Sequence, residues 1–411
     1  MYGYLCHTFP RPISAASHYK YSLTDNIAMQ ITDFELFAVP PRWLLLKLET
    51  DEGIVGWGEP IVQGRLETVR AAVTELIEAY LLGADPLRTE YHWRKLYQSG
   101  YFRGGPILMS ALAGIDHALW DIKGRHYGAP VHELLGGHVR DKLLVYQWLG
   151  GDDPEDVAVA AREDRERGYR AFKFNFAREF RPIETPNAVD HAVERVAAIR
   201  DAVGDDALVG VDFHGRVSKP MAADLVERLE QFDLMFIDQP LLPEHDDSFA
   251  SIAERTTVPI ATGERFYSRY DFKRLLVDDG VSILQPDVTH VGGISEMRKV
   301  ASMAEAFDVA VVPHCPLGPV AFAASLQVGF CAQNVVLHEQ DLDLHDPATS
   351  QRLKVLEDPE TFQFEDGYVK RPTGPGLGIE IDEDLIRELA QTEVNWYNPV
   401  WHHEDGSVAE W

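Results

Sequence analysis

Three apolar runs decide the fold of this chain: LVGVDF (residues 208–213), MFIDQP (235–240) and PIATGE (259–264). Each run contains an acidic residue at or near its end. These residues are Asp212, Asp238 and Glu264, and they recur at intervals of 26 residues. Such spacing leaves room for one amphipathic helix between successive strands, which is typical of a parallel β/α sheet.

The same pattern extends in both directions along the chain. It includes LLVYQWL from Leu143, AFKFNF from Ala171, SILQPD from Ser282, VAVVPHC from Val309 and VVLHEQ from Val335. Eight strands that alternate with helices predict a closed barrel of the (β/α)8 type. All strands of such a barrel end at one face, so the polar residues at these ends are expected to meet in one mouth.

Asp212, Asp238 and Glu264 would lie on three adjacent strands of that barrel. Oxygen-only ligands with positions left for substrate suit Mg²⁺. A single acid at a strand end is better explained as a helix cap or an ion-pair partner. Three acids at the ends of successive strands favour a metal site.

Two histidines accompany the acids. Asp287 and His314 end the next two runs, and a carboxylate one strand away can fix the tautomer of an imidazole and raise its basicity. We therefore expect His314 to act as a general base. His214 follows Asp212 by two residues, and strand alternation would place it beside the metal on the other side of the substrate. The alternative is that His214 supports the residues of the site and does not contact the substrate.

Four further residues are candidate substrate contacts. Lys173 and Asn175 are two residues apart and would share one strand face, with Lys173 meeting a substrate carboxylate. Glu339 ends the eighth run and could bind substrate hydroxyls. Arg103 lies in a glycine-rich segment that could close over the site, although a plain connection between helices explains that segment equally well.

The segments around the barrel define the domain organisation. Residues 1–28 are interpreted as an N-terminal extension, and residues 29–140 as an α+β capping domain that begins with an antiparallel hairpin. The barrel spans residues 141–346. Residues 347–411 are rich in Pro and Gly, and we expect them to pack back on the capping domain.

Composition excludes several classes of function. The formal net charge of −28 argues against nucleic-acid binding. No apolar run is long enough for a membrane helix, and three cysteines give no disulfide framework, so we expect a cytoplasmic protein. The 11 lysines are few beside 66 acidic residues. That balance favours a protein from a salt-loving organism, with an ordinary acidic enzyme as the alternative.

Several motifs resemble the enolase superfamily, in its mandelate racemase branch. They are VDFHGR from Val211, GER from Gly263, QPD from Gln285, HCPLGP from His314 and SALAGIDHALWDIKG from Ser110. The nearest resemblance within that branch is to the D-galactonate and D-gluconate dehydratases. It extends from about Met29 to the C-terminus.

The resemblance implies a (β/α)7β barrel with an α+β cap and one Mg²⁺ held by Asp212, Asp238 and Glu264. It implies that His314, oriented by Asp287, removes the C2 proton of a sugar acid. His214 would protonate the departing 3-hydroxyl, and the product would be a 2-keto-3-deoxy acid. The substrate would be an aldonate such as galactonate, gluconate or a pentonate such as xylonate, and the protein would be a homo-oligomer.

Two features bear on the alternatives. Racemases of this branch carry a lysine base where Asn175 stands, so an epimerase or racemase is the second choice. The segment Ile237–Pro240 reads IDQP, whereas relatives carry two glutamates before the proline. Asp238 is one methylene shorter than Glu, and Gln239 lacks a charge. A homologue that binds a sugar acid with weak catalysis is therefore a third reading.

Overall fold

The computed structural model describes residues 29–176 and 180–410. The proposed extension, residues 1–28, lies outside this range. The described chain has three parts, and these are an antiparallel sheet with helices, a parallel barrel, and a C-terminal segment that contacts both.

The first part begins with a three-stranded antiparallel sheet in the order β1-β2-β3. Its strands are β1 (Ile31–Val39), β2 (Trp43–Thr50) and β3 (Val55–Gly58). The expected hairpin at residues 51–53 joins β2 to β3. Four helices follow, α1 (Leu66–Tyr80), α2 (Thr89–Ser99), α3 (Pro106–Tyr127) and α4 (Val131–Leu134).

Helix α3 is buried along most of its 22 residues because it lies between the antiparallel sheet and the barrel. Gly114 of this helix allows β3 to approach closely. A Cβ at Gly58 would lie 1.9 Å from the carbonyl oxygen of Gly114, so a larger residue there would force the strand and the helix apart. This contact holds the antiparallel sheet close to α3, on the side of the capping domain that faces the barrel.

The barrel confirms the fold expected from the eight apolar runs. Its parallel strands are β4 (Lys142–Leu149), β5 (Ala171–Asn175), β6 (Leu208–Asp212), β7 (Phe236–Asp238), β8 (Ile260–Thr262), β9 (Ile283–Leu284), β10 (Ala310–Val311) and β11 (His338–Glu339). Neighbouring strands pair in sequence order from β4 to β10. The last run closes the ring, because β11 pairs with β4 and Val335 pairs with Val311 of β10.

Seven helices connect the eight strands, which gives the (β/α)7β arrangement. They are α5 (Pro154–Glu166), α6 (Pro186–Val203), α7 (Lys219–Leu229), α8 (Phe249–Ala253), α9 (Arg269–Val277), α10 (Ile294–Glu305) and α11 (Pro319–Cys331). Short 3-10 helices lie at Glu230–Phe232, Pro243–Ser248 and Leu353–Val355. In the described part of the chain, no helix combines the length and apolar character needed to cross a bilayer.

The C-terminal segment contributes β12 (Phe364–Glu365), β13 (Tyr368–Lys370) and α12 (Glu383–Leu389). Strand β13 pairs antiparallel with the first half of β4, below the point where β11 joins. Beyond it the chain reaches the capping domain. Lys47 of β2 contacts Glu383 at 2.9 Å, and Arg387 contacts Glu35 of β1 at 2.5 Å. Residues after 347 therefore pack on the capping domain as well as on the barrel.

Candidate active site

The three acids converge at the ends of neighbouring strands. Asp212 and Asp238 are the last residues of β6 and β7 and are paired in register, while Glu264 follows β8 by two residues. The side chains of Asp212 and Asp238 are fully buried. The Nζ atom of Lys173 lies 2.6 Å from Asp212 Oδ2 and also bonds to Asp238. One ammonium therefore bridges two of the expected metal ligands.

This contact changes the role expected for Lys173. The side chain is fully buried and points to Asp212 and Asp238 rather than into open space for a substrate carboxylate. Burial lowers the pKa of Lys173, but the two carboxylates outweigh burial and hold the pKa well above its usual value. Lys173 is thus a fixed positive charge beneath the cluster of acids.

The surroundings of Asp238 and Glu264 shift the pKa values of these two carboxyl groups in opposite directions. Burial, together with the charge of Asp212, raises the pKa of Asp238 well above its usual range. Burial also acts on Glu264, but the nearby His314 outweighs it and holds the pKa of Glu264 well below its usual range. Lys173 contacts Asp212 and Asp238, whereas Glu264 lies 2.8 Å from His314 Nε2 and 3.7 Å from Arg265 Nε.

His314 and Asp287 form the expected pair. The two residues are neighbours on adjacent strands, and His314 Nδ1 lies 2.7 Å from Asp287 Oδ2. Asp287 also accepts a hydrogen bond from the backbone N–H of Thr289 at 2.7 Å. The Nε2 atom of His314 lies 2.8 Å from Glu264 Oε2. A carboxylate that only accepts fixes the proton on Nδ1, so Nε2 is the atom that exchanges a proton.

Burial lowers the pKa of His314, but the charges of Glu264 and Glu339 outweigh it and raise the pKa well above the usual histidine value. The charge of Glu264 therefore favours the protonated form of the imidazole. A cation on Glu264 would withdraw that charge and lower the pKa of His314.

His214 reaches the site through a turn rather than through strand alternation. Strand β6 ends at Asp212, and His214 adopts a left-handed backbone conformation with φ 49°. Its N–H donates to Asp212 Oδ1 at 2.7 Å, and its ring Nδ1 lies 3.5 Å from the same oxygen. The ring stacks on Trp148 with centroids 6.1 Å apart. The two residues are thus adjacent as expected, but for a different geometric reason.

One cavity of about 620 Å³ opens at these strand ends, and His214, Glu264, His314 and Glu339 line it. This volume is typical of a small-molecule site. Glu339 accepts hydrogen bonds from Trp148 Nε1 and from the backbone N–H of Cys315. Glu339 therefore lies at the cavity, at the end of the eighth strand. Its carboxylate already accepts two hydrogen bonds from the protein.

Besides Lys173, two expected substrate contacts do not line the cavity. Arg103 adopts φ 67°, donates to the carbonyl of Gly100 at 3.0 Å and lies over the ring of Tyr97. The side chain of Arg103 folds back on its own loop and does not line the cavity, and a role in binding substrate stays a prediction. Asn175 accepts a hydrogen bond from Arg216 at 3.4 Å and does not line the cavity.

Several cavity residues were not given a role from the sequence. Arg216 and Arg265 belong to the DFHGR and GER motifs, and these motifs could have predicted that both residues lie at the site. His290 follows Asp287 by three residues and bonds through Nδ1 to Ser110 of the capping domain at 2.9 Å. Trp148 lies one residue before the end of β4. Asn398, Trp401 and Glu410 come from the C-terminal segment, and no local pattern marked them.

Comparison with known families agrees with this geometry. Residues 40–136 match the mandelate racemase / muconate lactonizing enzyme N-terminal domain, and residues 156–385 match the enolase C-terminal domain-like family. The chain belongs to the mandelate racemase branch of the enolase superfamily. The resemblance read from the DFHGR and HCPLGP motifs is thereby confirmed.

The chain is also similar to two curated bacterial proteins over its length. It is 52% identical to D-galactonate dehydratase of Ralstonia pickettii and 51% identical to that of Ralstonia nicotianae, covering 93% of this chain and all of each relative. Among solved structures, it resembles an enolase from Agrobacterium radiobacter with bound sodium and L-malate, provisionally assigned as a galactarate dehydratase. That match has a TM-score of 0.84 at 31% identity and covers 92% of this chain and 99% of the other.

Proposed function

We propose that this protein is a Mg²⁺-dependent hydro-lyase that dehydrates an aldonate such as D-galactonate to the 2-keto-3-deoxy acid. The observation that carries the proposal is the placement of two histidines, His214 and His314, on one cavity beside Glu264. Removal of a C2 proton and loss of a 3-hydroxyl require one base and one acid near the same substrate. The names of the Ralstonia relatives support the same class of reaction.

The residues present fit Mg²⁺. Asp212, Asp238 and Glu264 offer only oxygen atoms, and they lie at the ends of three neighbouring strands of the barrel. Burial raises the pKa of Asp238, and a cation bound beside it would lower that pKa and favour the ionised carboxylate. When bound by these three residues, Mg²⁺ would hold the substrate carboxylate and stabilise the charge that develops as C2 loses its proton.

His314 takes the C2 proton at Nε2. Asp287 holds Nδ1–H at 2.7 Å and so fixes the ring orientation and the tautomer. The buried position of Asp287 keeps this hydrogen bond away from water. Neutralisation of the Glu264 charge lowers the pKa of His314 towards the range in which an imidazole can accept a proton.

His214 delivers the proton to the 3-hydroxyl as it leaves. Hydroxide is a poor leaving group, so protonation must accompany cleavage of the C–O bond. Burial lowers the pKa of His214 despite the opposing charges of Asp212 and Glu264. A lower pKa makes the protonated ring a stronger acid. Its stacking on Trp148 restricts the ring to one orientation.

Asn175 supports dehydration over epimerisation. An epimerase of this kind needs a second base on the face of C2 opposite His314, and an amide cannot serve. Asn175 is instead hydrogen-bonded to Arg216. The two-histidine arrangement therefore favours loss of water after the C2 proton is removed.

The test is incubation of the Mg²⁺-loaded protein with a panel of five- and six-carbon aldonates, followed by an assay for 2-keto-3-deoxy acids. We expect product from D-galactonate or a close stereoisomer. Exchange of C2 hydrogen with solvent deuterium and no product would favour the epimerase. Binding without either reaction would identify a catalytically weak homologue and defeat the proposal.

A further inference from the structure

The end of the chain forms the outer wall of the active-site cavity. Trp401 and Glu410 both line it, and the residues between them form a short hairpin. His402 and Val408 pair antiparallel, and the N–H of Ala409 donates to the carbonyl of Trp401 at 2.9 Å. The hairpin therefore presents its first and last residues to the cavity.

Contacts with both domains hold this wall in place. The guanidinium of Arg42 lies 5.0 Å from the centre of the Trp396 ring, and that of Arg216 lies 4.7 Å from the centre of the Trp401 ring. Asn398 packs so closely on the capping domain that a Cβ at Gly64 would lie 2.7 Å from its Oδ1. Attachment to cap and barrel makes the segment part of the site.

Arg265 connects this wall to the catalytic residues. Its Nη1 lies 3.3 Å from Glu410 Oε1, and its Nη2 donates to the carbonyl of His214 at 3.2 Å. Its Nε lies 3.7 Å from Glu264 Oε1. The Glu410 side chain is 46% exposed. Its carboxylate is thus held by one arginine while part of it remains open to the cavity.

The position of the reacting atoms determines which part of the substrate would lie against the C-terminal hairpin. C1 to C3 of the substrate must lie among Glu264, His214 and His314, so the remaining carbons extend away from the strand ends. A terminal hydroxyl there can donate a hydrogen bond to a carboxylate, whereas a second carboxylate would be repelled by it.

We propose that Glu410, held by Arg265, selects aldonates over aldarates. The carboxylate of Glu410 accepts a hydrogen bond from a hydroxyl at the far end of the substrate. It rejects a diacid through like-charge repulsion. The inference rests on the proposed sugar-acid dehydratase activity and names the group that sets its substrate class.

The test compares the wild type with Glu410→Gln, each as the Mg²⁺-loaded full chain. We measure kcat/KM for D-galactonate and the Ki of galactarate as a competitive inhibitor. In Glu410→Gln we expect kcat/KM for galactonate to fall about tenfold, because a charge-assisted hydrogen bond is lost. We expect galactarate to bind more tightly by a similar factor, since repulsion is removed and Arg265 is released.

Glu404→Gln is the matched control, because Glu404 is an exposed acid in the same hairpin that does not line this cavity. We expect it to change neither constant. Glu410→Asp keeps the charge, and we expect it to retain the preference for galactonate over galactarate.

A positioning role for Glu410 through Arg265 would weaken both ligands by the same factor, and that result would overturn the proposal. Unchanged constants in Glu410→Gln would overturn it as well. If the wild type does not dehydrate galactonate, the proposed function fails by itself. The selectivity is then read from the calorimetric Kd values of the two acids, and an unaltered ratio contradicts the role of Glu410.

Discussion

His314 lies between two carboxylates that have different tasks. Asp287 binds Nδ1 and fixes the ring, whereas Glu264 faces Nε2, where the substrate proton would arrive. A substitution at His314 should therefore remove chemistry without removing the ligands of the metal.

We predict that His314→Asn lowers kcat on the aldonate by about 10²–10⁴-fold, the usual contribution of a general base. Mg²⁺ affinity, measured by calorimetry, should stay within a few-fold of the wild type because Asp212, Asp238 and Glu264 are retained. Turnover close to that of the wild type would exclude His314 as the base.

Lys173 makes a second prediction at this scale. It is the ammonium that bridges buried Asp212 and Asp238, so its loss removes the positive charge that these two buried carboxylates share. In Mg²⁺-free buffer, Lys173→Met should lower the free energy of unfolding by about 3–5 kcal/mol. Urea unfolding measures this, and added Mg²⁺ should restore part of the loss.

The control is Lys219→Met, since Lys219 is exposed and lies 3.9 Å from Asp247. Its loss should change stability by less than about 0.5 kcal/mol. An equal free energy of unfolding for Lys173→Met and the wild type without Mg²⁺ would show that the Lys173 bridge does not stabilise the fold.

The sequence predicted the residues of the site better than their contacts. Asp212, Asp238, Glu264, Asp287 and His314 lie together because parallel strands end at one face. The sequence predicted that Lys173 binds substrate, because strand alternation indicates which face a side chain lies on. It does not indicate how deep in the barrel the side chain lies. The direction of the Arg103 side chain could not be predicted, because a loop flanked by glycines has no periodicity from which to derive it.

At the scale of elements, the eight barrel strands were predictable because each apolar run and each helix between runs repeats a local pattern. The C-terminal hairpin was not. At the cavity, Trp401 and Glu410 contact Arg216 and Arg265, which are more than 140 residues away in sequence. No local pattern encodes such pairings.

The start of helix α11 joins the cap to the loop that follows His314. Glu59 of the capping domain is fully buried and accepts hydrogen bonds from the N–H groups of Gly318 at 2.7 Å and Ala321 at 2.9 Å. Burial raises the pKa of Glu59 from 4.5 to about 7 despite these bonds. This contact therefore depends on pH in a range where most carboxylates are already ionised.

Between pH 4.5 and 7 the folded protein keeps the proton of Glu59 longer than the unfolded chain does. The contribution of Glu59 to the free energy of unfolding must then fall as pH rises through this range. Glu59→Gln removes the titration. We predict that the stability difference between wild type and variant shifts by about 3 kcal/mol across the range.

Urea unfolding at several pH values measures this difference. Glu67→Gln is the control, because Glu67 lies on the exposed side of α1 and its side chain is 77% exposed. A difference between wild type and Glu59→Gln that is constant with pH would contradict the raised pKa of Glu59.

For the whole molecule, the dominant feature is the net charge of −28. The interpretation as a protein of a salt-loving organism stays a prediction, as do a cytoplasmic location and a homo-oligomeric state. Mutual repulsion of surface carboxylates weakens as salt screens them. We predict that the midpoint of thermal unfolding rises by several degrees between 0.1 M and 2 M KCl. A midpoint that falls with KCl would favour an ordinary acidic enzyme.

The cap, barrel and C-terminal hairpin together enclose one cavity, and we propose that His314 and His214 divide the reaction there. The most direct test of this division follows the C2 hydrogen of the aldonate by proton NMR in deuterium oxide. We predict that His214→Asn exchanges the C2 hydrogen without forming 2-keto-3-deoxy product, while His314→Asn does neither. Product formation by His214→Asn at the wild-type rate, or C2 exchange by His314→Asn, would contradict the account.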